Sequence, residues 1–239
     1  DILLAQTSRV YLDYLTNYVR ILKQKNTLLK NQLNGNALSG RDFRNLLNSI
    51  NEKMTEYSCE ILRRRLELLN QFRIYFEKGF SYLIDKKDKP GIKYTSNYLS
   101  EEIITEGYSD TERIREIFTK NIELKTNEET ARGTSVIGPH KDDYLFSLRK
   151  NLKGLSTESF ELKNFASQGE HKTFVIALKL AEYHFLKDNL ASSPILLLDD
   201  LLSELDKTRV SKIVAHLKNY GQIFLTTTNK DYNGEIKKY

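Results

Sequence analysis

Apolar residues recur at helical spacing through the first third of the chain. Tyr11, Leu15, Tyr18, Leu22 and Leu29 fall on one heptad-spaced face, with Lys25 the one polar interruption, which predicts an amphipathic helix. After the turn-rich segment Asn34 to Gly40 a second pattern runs from about Asp42 to Phe80 through Leu47, Ile50, Met54, Tyr57, Ile61, Leu68 and Tyr75. Its heptads fail at Arg64 and Gln71 and the stripe drifts to Leu62, Leu66, Leu69 and Phe76, so a straight helix is expected rather than a long coiled coil. Residues 8–80 therefore read as an antiparallel helical hairpin, a projecting arm.

Pro90 and Gly91 are expected to break that helix, and Ile92, Tyr94, Ser96 and Tyr98 alternate like a short strand. Asp110 to Glu123 is helical again, and Thr126 to Gly133 reads as a polar link. Alternation in Asp143 to Lys150 and in Ser159 to Ala166 predicts paired strands, turning near Lys153 and Gly154. A helix (Glu170 to Lys187), a buried strand (Ile195 to Leu198), a helix (Lys207 to Asn219) and a strand (Gln222 to Thr227) follow. Strand, helix and strand at that spacing imply parallel pairing with a crossover. The expected division is 1–130, a helical arm subdomain, and 131–239, an α/β portion.

Composition narrows the class. The 239 residues are 39% hydrophobic with 14 Tyr and 11 Phe, enough for a real core, and 3 prolines with 29% charged residues suit a helix-rich α/β protein. The single cysteine, Cys59, excludes an internal disulfide framework. No signal-like segment and no apolar run near the length of a membrane span is present, so a cytoplasmic protein with no membrane partner is expected. The net charge of +5 admits an acidic partner such as DNA without requiring one. The clusters Arg63–Arg64–Arg65 and Lys86–Lys87–Asp88–Lys89 read as solvated surface. A first residue that is aspartate looks like a cut inside a longer polypeptide.

The candidate chemistry lies in the last third. Asp199 ends a run of aliphatic residues, so its carboxylate should emerge at the carboxyl end of a strand, where α/β sheets bind ligands. There it would hold magnesium. Asp200, expected to point elsewhere because strand neighbours alternate, could take a proton from water attacking a terminal phosphate. The bland alternative is an acidic loop capping the next helix, and Glu204 and Asp206 equally suit a helix start. Ser167, Gln168 and Gly169 precede a helix with Val175, Ile176, Leu178, Leu180 and Ala181 on its apolar face, and a hydroxyl, a glycine and a helix N-terminus make an anion cradle. Lys172 adds positive charge there or is a surface lysine. Gly133 to His140 imitates a P-loop, but Pro139 and His140 stand where lysine and a hydroxyl residue are needed. His140 with Asp142 and Asp143 reads as structural rather than metal-binding, and zinc or Cys/His catalysis is unsupported.

Four stretches, Gly138 to Leu148, Phe165 to Glu182, Pro194 to Asp206 and Gly221 to Asn229, resemble in sequence and order the bacterial recombination mediators of the RecF family. Tyr18 to Lys30 is similar to that family's helical arm. The resemblance implies an incomplete P-loop NTPase of the ABC/SMC ATPase-head type with a helical arm, 131–239 being the carboxyl-terminal part of the head. It implies that Ser167, Gln168 and Gly169 form the signature motif facing ATP held by an opposite subunit. Asp199 is then the Walker B magnesium residue and Asp200 the catalytic base. Ser203 to Asp206 would form the D-loop, and Thr227 stands at the switch position. Glu170 and His171 depart from the two glutamines usual in the family. ATP and Mg2+ are the implied cofactors. The implied partners are DNA at single-strand gaps or stalled forks, RecR and through it RecO, and a second copy in an ATP-dependent homodimer. Slow hydrolysis is implied for the intact protein, and none for these residues without a Walker A loop. A non-enzymatic scaffold and another SMC-like head are the alternatives.

Overall fold

The computed structural model describes residues 1–227 except 36–37, 84–87, 106–109, 151–157, 201, 203–204 and 219. The expected turn at Lys153–Gly154, the Lys86–Lys87 pair, and Ser203 and Glu204 of the acidic loop lie outside the described residues. The chain divides into two compact units, each discontinuous in sequence: Asp1–Leu69 with Tyr94–Tyr144, and Asn70–Lys93 with Leu145–Tyr239. Neither unit follows the split expected after residue 130.

The first unit is helical. Helix α1 (Ile2–Thr7) leads into α2 (Arg9–Leu33), whose N-cap Ser8 accepts a hydrogen bond from the Tyr11 amide. Helix α3 (Gly40–Leu83) returns along α2. Leu28 and Leu29 cluster with Phe43 and Leu47, Tyr14 meets Tyr57 at 6.3 Å between ring centroids, and Arg64 reaches Ser8 Oγ at 3.4 Å. Late positions of one helix meet early positions of the other, so the pair is the antiparallel hairpin that the pattern predicts. One short-range expectation changes. Helix α4 (Glu101–Thr105) is followed by α5 (Thr111–Arg132), so the stretch expected as a polar link is the last turns of a helix, ended by Gly133 in the left-handed region at φ 66°.

The polar link became helix because one of its polar residues points inward. Glu129 Oε2 lies 2.6 Å from Lys25 Nζ, with side chains 1% and 0% exposed. Burial pulls the Lys25 ammonium down from its usual range while Glu129 opposes the shift. Glu129 Oε1 also accepts from Ser135 Oγ at 2.7 Å and from the Val136 amide at 2.9 Å, and Asn26 Oδ1 accepts from the Ser135 amide at 2.8 Å. The P-loop imitation is therefore stitched down by side chains rather than open to phosphate.

Arg65 corrects the surface reading of its cluster. It is 7% exposed, donates to Pro139 O at 2.7 Å and Tyr94 Oη at 3.3 Å, and pairs with Asp1 at 2.7 Å. Arg63 and Arg64 do sit at the surface edge, paired with Glu60 and Glu67. His140 lies in a 3-10 turn (Pro139–Lys141) with Nδ1 2.6 Å from Tyr18 Oη, and burial brings its pKa down to about 4. Asp142 accepts from Tyr94 at 2.7 Å and Tyr98 at 2.9 Å, and burial raises its carboxyl pKa. Among the described residues no group of three or more His, Cys, Asp and Glu is placed to hold a metal. Cys59 is buried and its thiol is pushed up to about 11, which makes it a poor nucleophile.

The second unit carries the sheets. Strands β1 (Lys89–Thr95), β2 (Asp143–Lys150) and β3 (Glu158–Glu161) form a sheet in that order, with β2 antiparallel to β3 and Leu148 opposite Phe160. Pro90 and Gly91 belong to β1 rather than preceding it, and a Cβ on Gly91 would run into Ser147 Oγ. Strand β3 stops short of the expected Ala166 because Leu162–Phe165 winds into the short helix α6. Helix α7 (Gln168–Asn189) buries Phe174, Ile176, Ala177, Leu180, Ala181 and Phe185. Phe174 meets Phe76 of α3 edge to face at 4.8 Å, and Phe185 meets Phe72 at 6.2 Å. Val175, expected inside, is 39% exposed.

Strand β4 (Leu196–Asp199), helix α8 (Lys207–Leu217) and strand β5 (Ile223–Thr226) form the expected parallel crossover, with Leu197 opposite Phe224 and Asp199 opposite Thr226. The strand is buried on one side only. Leu196 and Leu198 are 6% and 2% exposed, whereas Leu197 is 68% and Phe224 53% exposed. Side chains alternate between faces with a period of two, and one face of this pair lies uncovered. No described helix is long and apolar enough to cross a membrane.

Lys25→Met leaves the Glu129 carboxylate buried without its cation and is expected to cost about 3–5 kcal/mol in urea unfolding. A loss under about 1 kcal/mol, the range of exposed ion pairs, would show that the pair constrains nothing. His140 is expected to titrate by NMR with a midpoint near about 4, below its ordinary 6.5. Between those two pH values the unfolded chain binds a proton that the folded chain refuses, so stability falls as pH drops through that window. His140→Gln should remove that share of the acid sensitivity.

Candidate functional site

The acidic strand end is set by pairing. Asp199 is the last residue of β4, exposed, and its Oδ1 accepts from the hydroxyl of Thr226 across the parallel register. The chain then turns through Asp200, the one described non-glycine residue with positive φ, at 46°. That conformation is one that Asp tolerates better than most residues. The Asp200 amide donates to Thr226 O at 3.2 Å and to Thr226 Oγ1 at 3.0 Å. Asp200 therefore diverges from Asp199 through a left-handed turn beyond the strand, not through the strand alternation expected of it. Beyond it Leu202 and Leu205 are buried, at 0% and 6% exposed.

Asp206 caps α8. Its Oδ1 accepts from the Arg209 amide at 2.9 Å and its Oδ2 lies 3.3 Å from the Arg209 side chain. The helix-start alternative thus describes Asp206 structurally, while its carboxylate remains at the surface.

Ser167 caps α7 in a reciprocal box. Its hydroxyl accepts from the Glu170 amide at 3.3 Å, and Glu170 Oε2 accepts from the Ser167 amide at 2.8 Å. The first intrahelical bond runs from the His171 amide to Ser167 O at 2.9 Å. The amides of Gln168 and Gly169 thus stand at the first two helical positions, where no intrahelical acceptor exists, and they are the donors left for an anion. Ser167 and Gln168 are exposed, and Gly169, Glu170 and Lys172 are half-buried. Glu170 places its charge at the same helix end, turned back onto the Ser167 amide. The buried Thr173 hydroxyl bonds Gly169 O at 2.7 Å and stiffens the turn.

The structure groups these residues at three element ends: Ser167, Gln168 and Gly169 at the start of α7, Asp199 and Asp200 at the end of β4, and Asp206 at the start of α8. Thr227 follows β5 and is half-buried. Thr226 is the residue that sequence reasoning missed. A run of three threonines, Thr226 to Thr228, offers equivalent candidates, and only the strand register selects the one that bonds Asp199.

No family model matches the chain. Curated proteins do. The DNA replication and repair protein RecF of Chloroherpeton thalassium is 33% identical over 241 aligned positions, covering 100% of this chain and 61% of the relative. RecF of Chlorobium phaeobacteroides is 36% identical over 239 positions, covering 98% of this chain and 60% of that relative. The solved structure of the recombination mediator protein RecF with ATPrS in the RecFOR pathway matches with a TM-score of 0.74 at 25% identity, over 94% of this chain and 55% of that one. The corresponding RecF structure with ATP gives 0.75 at 24% identity, over 96% and 56%. The fold is that of an incomplete P-loop NTPase head of the ABC type with a helical arm, matching little over half of each of those structures. The chain belongs to the RecF family, and it spans about three fifths of the length of the curated relatives it matches.

Proposed function

We propose that this chain forms part of an ATP-dependent DNA repair and recombination protein of the RecF type, which closes as a homodimer around ATP. The observation that carries the reading is Asp199, an exposed carboxylate on a strand end whose apolar neighbours Leu197 and Phe224 share its uncovered face. On this reading the part of a RecF-length protein that this chain does not span covers that face and supplies the phosphate loop, a G-x-x-x-x-G-K-[ST] that these residues do not contain.

The residues present fit a magnesium nucleotide. Carboxylate and hydroxyl oxygens are hard donors that suit Mg2+, and Asp199 is the residue that would hold it, directly or through water. A magnesium ion held there would neutralise charge on the phosphates. Thr226 fixes the Asp199 rotamer by its hydrogen bond, and the left-handed turn carries Asp200 to a separate position from which it would accept a proton from water. Gln168 and Gly169 amides, with the Ser167 hydroxyl, would contact the terminal phosphate of a nucleotide bound on the opposite copy. Lys172 adds positive charge, Asp206 and its loop line the interface, and Thr227 stands beside the site in the switch position. Thr227 at the switch position and Asp200 at the base position, where glutamate is commoner, would both organise water weakly, which supports slow turnover suited to a switch.

DNA contact is proposed from the likeness to RecF, with which the net charge of +5 is compatible, as backbone contact without sequence readout at single-strand gaps or stalled forks. RecR, and through it RecO, are the proposed protein partners, and the cytoplasm, at the nucleoid, the proposed location.

In the intact protein, Asp199→Ala is expected to abolish magnesium-dependent ATP hydrolysis measured by phosphate release. Ser167→Arg, which fills the cradle with a long side chain, should leave ATP binding intact but remove ATP-driven dimerisation in sedimentation. Normal dimerisation of Ser167→Arg would falsify the opposed-copy reading.

A further inference from the structure

Unit two holds a cluster that the nucleotide reading does not use. The Tyr220 hydroxyl, in a residue only 8% exposed, lies 2.8 Å from His184 Nε2 and 3.1 Å from His216 Nε2. His184 belongs to α7 and His216 to the last turn of α8, while Tyr220 leads into β5. Around them, Tyr82 of α3 stacks on His216 at 4.4 Å, Tyr183 packs on Tyr220 at 4.8 Å, and Tyr183 Oη accepts from the Gly221 amide at 2.9 Å.

One phenol carries one proton, and this sets how the three groups can pair. With both imidazoles neutral, Tyr220 donates to one and accepts from the other, so the histidines take complementary tautomers. A single added proton is accommodated, because an imidazolium still donates to the phenol oxygen while the phenol donates to its remaining neutral partner. A second proton is not. Both rings would then donate, the phenol hydrogen would lose its acceptor in the trio, and two cations would face one oxygen.

We propose that His184, Tyr220 and His216 form an acid-operated latch that fastens α7 to α8 and to the approach to β5, and that opens when both histidines are charged. Burial lowers the pKa of each histidine. For His184, Lys78 of α3 lowers it further, Asp188 raises it and Lys187 lowers it; for His216 the nearby His184 lowers it. Asp188 is itself held by Tyr75 of α3 at 2.9 Å. Since both folded values lie below the ordinary histidine range, the latch is intact at neutral pH. Its contribution to stability is lost as pH falls from the ordinary histidine value through the folded ones. This inference rests on the trio's geometry and is independent of nucleotide.

The test is amide hydrogen exchange of α7 and α8 at pH 7 and pH 5, corrected for intrinsic rates, with NMR titration of the two imidazoles. In the parent chain, protection of both helices is expected to fall at least about tenfold at the lower pH. The two titration steps should be separated by at least about one pH unit. Tyr220→Phe keeps the ring contacts but removes the shared oxygen, and should show the low protection already at pH 7. His216→Gln keeps a neutral partner for the phenol and should hold its protection at pH 5, which serves if Tyr220→Phe fails to fold. Equal loss of protection in His216→Gln and the parent on acidification would overturn the latch, as would independent titration of the two rings at the ordinary histidine value.

Discussion

Parallel pairing of β4 with β5 is the constraint from which the site follows. Two parallel strands cannot be joined by a tight turn, so the chain must leave the end of β4, cross over as a helix and re-enter beside its starting point. That route places Asp199 and Asp200 at the exit, Asp206 at the start of the crossover helix and Thr226 opposite Asp199. The hydroxyl-to-carboxylate bond and the two amide bonds from Asp200 to Thr226 then hold the acidic turn against the neighbouring strand. Asp200 takes a left-handed conformation directly after the last strand bond. The candidate chemistry is thus a by-product of closing one crossover.

The other unit is ordered by charges rather than by a sheet. Removing Lys25 and Glu129 from water carries a desolvation cost that only close pairing and extra hydrogen bonds offset. Glu129 supplies both, binding Lys25 with one oxygen and the Ser135 hydroxyl and Val136 amide with the other. Arg65 does the same for the turn at Pro139, where its guanidinium meets a carbonyl, a phenol and a carboxylate. These bonds specify where the connection after α5 must lie, which apolar contacts alone would leave degenerate. They also explain why a glycine-bearing loop with the spacing of a phosphate cradle is not an open one: the amides of Ser135 and Val136 are already bonded to the side chains of Asn26 and Glu129.

At the start of α7 the same residues serve folding and, under the proposed function, recognition. The box between Ser167 and Glu170 satisfies two amides at the helix start and leaves those of Gln168 and Gly169 without an intrahelical acceptor. A carboxylate at that end favours the helix through its dipole and disfavours an incoming phosphate. The two demands conflict, and Glu170 resolves the conflict on the side of the helix.

The sequence by itself determined the helical hairpin, the parallel crossover and the identity of Ser167, Asp199 and Asp206 as residues at element ends. These follow from periodicity and from residue chemistry that acts over a few positions. Tertiary structure alone decided that Lys25, Arg65 and Glu129 are interior, that Thr226 rather than Thr227 meets Asp199, and that Leu197 faces outward. Each of those depends on which distant residue stands opposite: a charge is buried only if its counter-charge arrives, and a strand face is covered only if another element reaches it. A pattern of polar and apolar letters carries the period of an element but not the identity of its neighbour. The polar run from Thr126 to Arg132 could therefore be read as a link until Lys25 was seen beside Glu129.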